Sequence, residues 1–153
     1  MGNPENWRDE DGLLAWSAFL RAHAKVVAQL ERDLREHGGM QLGWYDVLLE
    51  LNAATDRRMR MQELGEAAVL SRTRVSRIVD ELATAGLVRR EANPDDRRSA
   101  YAVITAEGRR ELRRVAPIYL DAVRNRFVGN MPAKDVPAVR RALESLLDAD
   151  ETG

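Results

Sequence analysis

The chain has 153 residues, a length that suits one compact domain with helices to spare for pairing with a second copy. Its 44% hydrophobic, 32% charged and 5% aromatic residues fit a soluble, helix-rich protein better than a disordered or membrane-spanning one. No apolar run approaches the roughly 18 residues that span a bilayer, and the charged N-terminus lacks a signal-peptide core, so we expect a cytoplasmic protein with no membrane partner.

The residues that support most metal and redox sites are scarce. There is no cysteine, and the two histidines, His23 and His37, are 14 positions apart without local ligand spacing. We also find no nucleophile and base arrangement and no phosphate-binding loop. The sequence therefore predicts no metal, no cofactor and no enzymatic activity.

The net charge of the whole chain is only -1, but positive charge is in excess in its middle segment. Between residues 57 and 98 there are ten arginines and seven acids. Arginine is the side chain best suited to bidentate contacts with phosphate and guanine. The ten are Arg57, Arg58, Arg60, Arg72, Arg74, Arg77, Arg89, Arg90, Arg97 and Arg98.

The first predicted element is a long amphipathic helix. From Leu13 to Leu34, apolar residues recur at alternating steps of three and four. Gly38 and Gly39 end it, and a shorter helix carrying Trp44, Val47, Leu48 and Leu51 follows.

The next two helices are short and tightly joined. Met61, Leu64 and Ala67 mark the first, and Ser71 is a good N-cap for a second whose apolar face is Val75, Ile78, Val79 and Leu82. Two short helices joined in this way predict a helix-turn-helix.

Gly86 ends that pair. Two segments, 87–91 and 101–104, then predict paired strands, which form a β-hairpin with a basic tip. Thr105 is the expected cap of a long helix with a kink at Pro117, and a final amphipathic helix follows Pro132. The expected fold class is mainly α with a small β-hairpin wing.

These elements suggest one domain over residues 1–153, with a winged helix-turn-helix module at 42–104 between helices at 10–36 and 105–149. The outer helices carry more apolar surface than one small module can cover, so we expect them to form a two-fold homodimer. A monomeric bundle that covers its own faces is the alternative.

The helix from Ser71 to Leu82 turns a polar face away from its apolar stripe. Thr73, Ser76, Arg77 and Asp80 point outward, with Arg72 and Arg74 on the flanks. Such a face suits base edges in the major groove of double-stranded DNA, although a solvated helix face has the same composition.

The predicted wing tip carries Arg97 and Arg98 directly after Asp95 and Asp96. A protruding arginine suits the narrow minor groove. The alternative is an ordinary turn closed by an aspartate–arginine ion pair. We expect both, with one aspartate holding one guanidinium and the other arginine facing DNA.

Five segments, in this order and spacing, resemble the multiple antibiotic resistance regulator (MarR) family: LGEA at 64–67, LSRTRVSRIVDEL at 70–82, GLVRR at 86–90, DDRR at 95–98 and VITAEG at 103–108. The resemblance covers residues 10 to 148. It implies a DNA-binding transcription regulator, by default a repressor, that binds a pseudo-palindromic operator as a homodimer. It also implies that Arg77 is the arginine of the recognition helix and Arg97 that of the wing tip. Ser71, Thr73, Arg74 and Ser76 match other DNA-facing positions of the family. Together with Arg72 on the helix flank and Arg98 in the turn, the predicted DNA-binding residues are Ser71, Arg72, Thr73, Arg74, Ser76, Arg77, Arg97 and Arg98.

The same resemblance implies release from DNA by a small aromatic, anionic or phenolic molecule in a crevice between the dimer helices and the DNA-binding module, because the family's peroxide-sensing cysteine and any histidine-rich metal set are absent. The candidate contacts are Trp16, Leu20, His23, Trp44, Tyr45 and Asp46. Core packing is the alternative role for Trp16 and His23. A looser resemblance to urate-responsive members makes Asp46, Arg77 and Arg89 possible urate contacts.

A winged-helix dimer that binds proteins and ignores DNA would share this fold. The basic face of the Ser71 helix argues against it. The sequence does not identify the operator, the regulated genes or the effector.

Overall fold

The computed structural model describes residues 10–96 and 98–149. In the described part of the chain, no helix is both long and apolar enough to cross a membrane. The nine labelled helices and strands of the described residues are α1 (Asp11–Asp33), α2 (Leu42–Ala53), β1 (Arg58–Arg60), α3 (Met61–Ala67), α4 (Arg72–Thr84), β2 (Val88–Glu91), β3 (Tyr101–Ile104), α5 (Ala106–Arg126) and α6 (Val136–Asp148). A π-helical turn (Leu34–Gly38) follows α1.

The described residues divide into two compact units. Residues 10–30 and 120–149 form one, here called the terminal unit, and Glu31–Tyr119 form the other, the central unit. The fully buried large side chains Leu34, Leu48, Leu64, Leu82, Ile104 and Val115 all belong to the central unit. The hydrophobic core of the described chain therefore lies mainly under the helix-turn-helix.

Local sequence signals set the limits of α4. The Ser71 hydroxyl accepts a 3.2 Å hydrogen bond from the amide of Arg74, as expected of an N-cap. The predicted apolar face of Val75, Ile78, Val79 and Leu82 is buried. After the helix, Gly86 adopts a φ of +78°, which side chains rarely tolerate. These three expectations are confirmed.

The wing is a three-stranded antiparallel sheet in the order β1-β3-β2. The predicted hairpin is β2 and β3, paired from Val88 opposite Ile104 to Glu91 opposite Tyr101. The third strand, β1, pairs Arg58 with Val103 and was not predicted. Its three residues are too few to show an alternating pattern.

Thr105 joins the wing to α5. Its hydroxyl accepts a 3.0 Å hydrogen bond from the amide of Gly108 and donates a 2.7 Å bond to the carbonyl of Gly86. A Cβ on Gly108 would lie only 2.1 Å from the carbonyl oxygen of Leu87, so this close approach requires glycine. The predicted cap is confirmed. α5 continues past Pro117 and ends at Arg126.

The terminal unit exposes much of its apolar surface. Trp16 is 56% exposed and Phe19 43% exposed on α1. α6 has no buried residue, and its Leu147 is 84% exposed. In the single chain these helices leave apolar surface open to solvent.

Candidate nucleic-acid interface

The predicted DNA-facing side of α4 is solvent-exposed. Arg72, Thr73, Arg74 and Arg77 are exposed, and Ser76 is half-buried. Because Val75, Ile78 and Val79 fix the opposite side in the core, the orientation of these polar residues follows from the packing of the helix. The structure therefore brings the predicted α4 residues together on one surface.

The wing is attached to α4 by Arg90 of β2. Its Nη2 donates a 2.7 Å hydrogen bond to Asp80 Oδ1 and lies 3.4 Å from both the hydroxyl and the carbonyl oxygen of Ser76. Ser76 and Asp80, which the sequence places on the polar face of α4, thus also hold the wing. The sequence placed Arg90 in the basic excess and in the GLVRR segment but did not predict this contact, since it joins residues ten positions or more apart.

A cleft of about 440 Å³ lies between α4 and the wing. Four of its lining residues are arginines, and the acid among them is Asp96. Positive charge concentrated in a concave surface attracts anions such as DNA phosphates. The four arginines are Arg60, Arg72, Arg90 and Arg98.

Arg60 and Arg58 enter this part of the protein on the unpredicted strand β1. Arg58 stacks over the Tyr101 ring, 4.5 Å from its centroid, and lies 3.6 Å from Glu91. Arg60 is exposed and lines the cleft. Sequence analysis missed Arg60 as a site residue, and the dense run of arginines at 57–60 was the only signal that pointed to it.

The tip of the wing is ordered by side chains that bond to its backbone. Asn93 is buried, and its Oδ1 accepts a 3.0 Å hydrogen bond from the amide of Asp95. Asp96 Oδ1 accepts a 3.0 Å bond from the amide of Arg98. Asp96 therefore caps the turn, and among the described residues neither aspartate pairs with the Arg98 guanidinium. Arg97, the leading wing-tip candidate, lies outside the described residues.

Arg77 has an acidic neighbour on its own helix. Its Nε lies 3.9 Å from Oε1 of Glu81, and the Arg77 side chain is 69% exposed. The other carboxylate oxygen of Glu81 accepts a 2.8 Å hydrogen bond from the indole nitrogen of Trp44 on α2. Trp44, a candidate for stacking on an effector, is thus also hydrogen-bonded to α4.

The other effector candidates on α2 have different surroundings. Tyr45 is 3% exposed and stacks on Tyr119 at 4.4 Å between ring centroids, so its ring belongs to the core. Asp46 is half-buried. Burial is the main cause that raises the pKa of Asp46 to about 6; the carboxylates of Glu50 and Glu31 add to the rise, and Arg74 opposes it.

The three candidates on α1 belong to the terminal unit. Trp16, Leu20 and His23 are all exposed in the protomer. Phe19 connects the rings, with centroids 6.0 Å from Trp16 and 6.3 Å from His23. Two of the three possible urate contacts, Arg77 and Arg89, have acidic partners. Arg77 lies 3.9 Å from Glu81, and Arg89 donates a 2.9 Å hydrogen bond to Glu91.

The chain is similar to a known protein family, to a relative in sequence and to solved structures. The model of the MarR family matches residues 38–99. The HTH-type transcriptional regulator YkoM of Bacillus subtilis is 30% identical over 123 residues, which are 80% of this chain and 78% of YkoM. Sco3205, a MarR family transcriptional regulator from Streptomyces coelicolor solved in complex with DNA, is 31% identical with a TM-score of 0.81, covering 92% of this chain and 88% of Sco3205. AbsC, a MarR family transcriptional regulator from the same organism, is 32% identical with a TM-score of 0.79, covering 91% of this chain and 94% of AbsC.

Proposed function

The chain belongs to the MarR family of transcription regulators, and from this membership we propose that it binds double-stranded DNA as a homodimer, at a pseudo-palindromic operator, and acts as a repressor. Members of this family regulate transcription and are not enzymes. The observation that carries the proposal is the cleft between α4 and the wing, which is lined by four arginines. The Sco3205 structure, with DNA bound to a relative of the same fold, supports it.

In this proposal, α4 enters the major groove. Arg77 contacts a base edge, and Ser71, Arg72, Thr73, Arg74 and Ser76 contact bases or phosphates around it. Arg97 and Arg98 at the wing tip contact the adjacent minor groove. The arginine-lined cleft contributes phosphate contacts between the two, because its side chains carry positive charge beside the groove.

The homodimer is proposed from the exposed apolar surface of the terminal unit. Burial of apolar surface contributes about 25 cal/mol per Å², so side chains such as Trp16, Leu146 and Leu147 favour association with a second copy. A two-fold dimer presents two copies of α4, which fits half-sites about 10 base pairs apart.

The finer part of the proposal is release by a small aromatic anion. Its candidate contacts are the six residues named from the sequence: Trp16, Leu20, His23, Trp44, Tyr45 and Asp46. The exposed rings of Trp16 and His23 suit stacking and hydrogen bonding to such a molecule. Release requires that the ligand bind the DNA-free arrangement of the dimer more tightly than the DNA-bound one.

The test is duplex binding by the full chain. A duplex selected from a randomised library is titrated at several salt concentrations, and the mass of the complex is measured by light scattering. We expect one dimer per site and a steep decrease in affinity with salt, set by roughly 6 to 10 phosphate contacts. Salt-independent binding, or a monomer on each site, would contradict the proposal. Failure to select any duplex would favour the protein-binding alternative.

A further inference from the structure

The side chain of Glu81 connects α2 to the exposed arginine of α4. Glu81 lies one helical turn after Arg77, so the two side chains share a face. Glu81 Oε1 is 3.9 Å from Arg77 Nε, with 69% of the arginine and 39% of the glutamate side chain exposed. On its own, such an exposed pair orients little, because water screens it and both long side chains lose conformational freedom.

Glu81 also has a second, stronger partner. Its Oε2 accepts a 2.8 Å hydrogen bond from Trp44, 37 positions earlier in the sequence. The indole is a rigid donor with few rotatable bonds, and Trp44 is followed on α2 by the fully buried Val47 and Leu48. The hydrogen bond from Trp44 therefore restricts the position of the Glu81 carboxylate. As a result, Arg77 pairs with a group that is already ordered, and less entropy is lost than in an ordinary surface pair.

From this geometry we propose that Glu81 is a positioning residue for base preference, with Trp44 holding its carboxylate and the carboxylate orienting the Arg77 guanidinium. The inference rests on the proposed DNA-binding function and deepens it. Nε is the guanidinium nitrogen that pairs with Glu81, at 3.9 Å, and the two terminal nitrogens make no hydrogen bond to Glu81 in the described structure. Those nitrogens are suited to O6 and N7 of guanine, and a bidentate contact requires a well-fixed guanidinium plane.

Glu81 should affect affinity and specificity in opposite directions. Its negative charge beside the DNA-facing surface repels phosphates, so it weakens binding to any duplex. By orienting Arg77, it strengthens the preference for one base. A residue that served only folding would change neither the preference at one position nor the balance between the two.

The experiment compares four variants on a duplex selected by the wild-type protein and on its single-base derivatives. Glu81→Gln keeps an oxygen that accepts from Trp44 but loses the charge that orients Arg77. Trp44→Phe keeps an aromatic ring and loses the indole donor. Arg77→Ala identifies the base pair that Arg77 contacts. Glu144→Gln is the matched control, because Glu144 pairs with Arg140 at the same i,i+4 spacing, with 50% and 65% of the side chains exposed.

We expect Glu81→Gln and Trp44→Phe to reduce discrimination roughly fivefold at the base pair that Arg77→Ala relaxes, which is the effect of weakening the contact of Arg77 with its base by about one modest hydrogen bond. For Glu81→Gln, affinity for an unrelated duplex should stay equal or increase. Glu144→Gln should leave discrimination unchanged. Circular dichroism of each variant verifies that it is folded.

A spectroscopic measurement tests the Trp44 contact directly. The indole N–H signal of Trp44 is assigned in an ¹H–¹⁵N spectrum by its loss in Trp44→Phe. Glu81→Gln should shift that signal, because the carboxylate acceptor is replaced by a neutral amide. Glu144→Gln should not shift it.

The inference is overturned if Glu81→Gln retains wild-type discrimination while Arg77→Ala relaxes it, or if the Trp44 signal is the same in Glu81→Gln. In either case DNA binding, and with it the proposed function, would stand. If the wild-type protein binds no duplex, both proposals fail.

Discussion

The guanidinium of Arg90 on β2 donates a 2.7 Å hydrogen bond to the carboxylate of Asp80 on α4. The pair joins the wing to the helix-turn-helix and neutralises one of the arginines of the cleft. Both side chains are partly exposed, 38% for Arg90 and 67% for Asp80, so the pair adds little to the free energy of unfolding. Its larger effect is on the charge of the proposed DNA-binding surface.

Asp80→Asn should therefore strengthen binding to random-sequence duplex at low salt. The substitution removes a negative charge and makes Arg90 available for a phosphate, which should steepen the dependence of log affinity on log salt by about one. The measurement is a salt series by fluorescence anisotropy. Asp121→Asn is the control, because Asp121 lies 3.5 Å from Arg124 in an exposed pair of the terminal unit. Weaker binding by Asp80→Asn would show that the pair holds the wing in place for DNA.

Arg77→Ala should relax base preference at one position in each half-site, with a loss of about 1 to 3 kcal/mol on the preferred duplex. A bidentate contact to guanine accounts for this size, whereas a phosphate contact would weaken all duplexes equally. Competition binding with single-base derivatives separates the two. Arg124→Ala is a matched control, since Arg124 is as exposed as Arg77, at 69%, and lies on α5 of the terminal unit. An equal loss of affinity for every derivative would mean that Arg77 contacts a phosphate and not a base.

Val69, in the turn between α3 and α4, has a backbone conformation that disfavours its own side chain. Its φ is +56° and its side chain is 89% exposed, so the β-branched residue gains little packing in return for the strain. The turn is closed by a 2.7 Å hydrogen bond from the amide of Leu70 to the carbonyl of Gly65. This hydrogen bond joins two backbone groups, so it does not depend on the side chain at position 69.

Val69→Gly should therefore raise the free energy of unfolding by about 1 kcal/mol, because relief of strain exceeds the entropy that glycine adds to the unfolded chain. Urea titration at constant pH measures it. Val69→Ala should give a smaller gain, since alanine removes the branch and keeps the Cβ. A lower stability for Val69→Gly would mean that the valine makes a contact that outweighs its strain.

Val69 also illustrates which features could be predicted from the sequence. Ser71, Gly86 and Thr105 carry local signals, because a cap or a turn depends on a few neighbouring residues, and their predicted roles are confirmed. The strain at Val69 has no such signal, since valine is rare in left-handed turns.

The parts of the candidate site that were missed depend on contacts distant in sequence. The hydrogen bond from Trp44 to Glu81 spans 37 positions, and the pairing of Arg58 in β1 with Val103 joins two segments on either side of the helix-turn-helix. A helix pattern predicts which face is polar, but it does not predict which other element contacts that face. The contact of Arg90 with Asp80 and the position of Arg60 in the cleft were therefore found only in the structure.

The effector proposal predicts that salicylate, another hydroxybenzoate or urate quenches tryptophan fluorescence and releases the selected duplex. The exposed rings of Trp16 and His23 are the contacts to test first, because neither substitution disturbs the hydrogen bond between Trp44 and Glu81. Trp16→Phe or His23→Ala should reduce both the quenching and the release. Release that is unchanged in both variants would place the effector elsewhere.

The raised pKa of Asp46 predicts that the free energy of unfolding depends on pH. Burial, followed by the carboxylates of Glu50 and Glu31, raises its pKa from the ordinary 3.8 to about 6, with Arg74 acting in the opposite direction. The folded chain therefore binds this proton more tightly than the unfolded chain does. Where the folded state holds more protons, the free energy of unfolding decreases as pH rises, here between about 4 and somewhat above 6.

Asp46→Asn should remove this contribution. The variant should be more stable than the wild type at pH 7.5, and the difference should shrink toward pH 4, because Asp46 is then protonated in the folded wild-type chain and resembles the amide. Urea titrations at four pH values between 4 and 7.5 measure it, with Asp121→Asn as the exposed-carboxylate control. A difference of constant size at all four pH values would mean that the gain comes from packing or hydrogen bonding of the amide. A destabilised variant at pH 7.5 would mean that the attraction between Asp46 and Arg74 outweighs the burial of the charge.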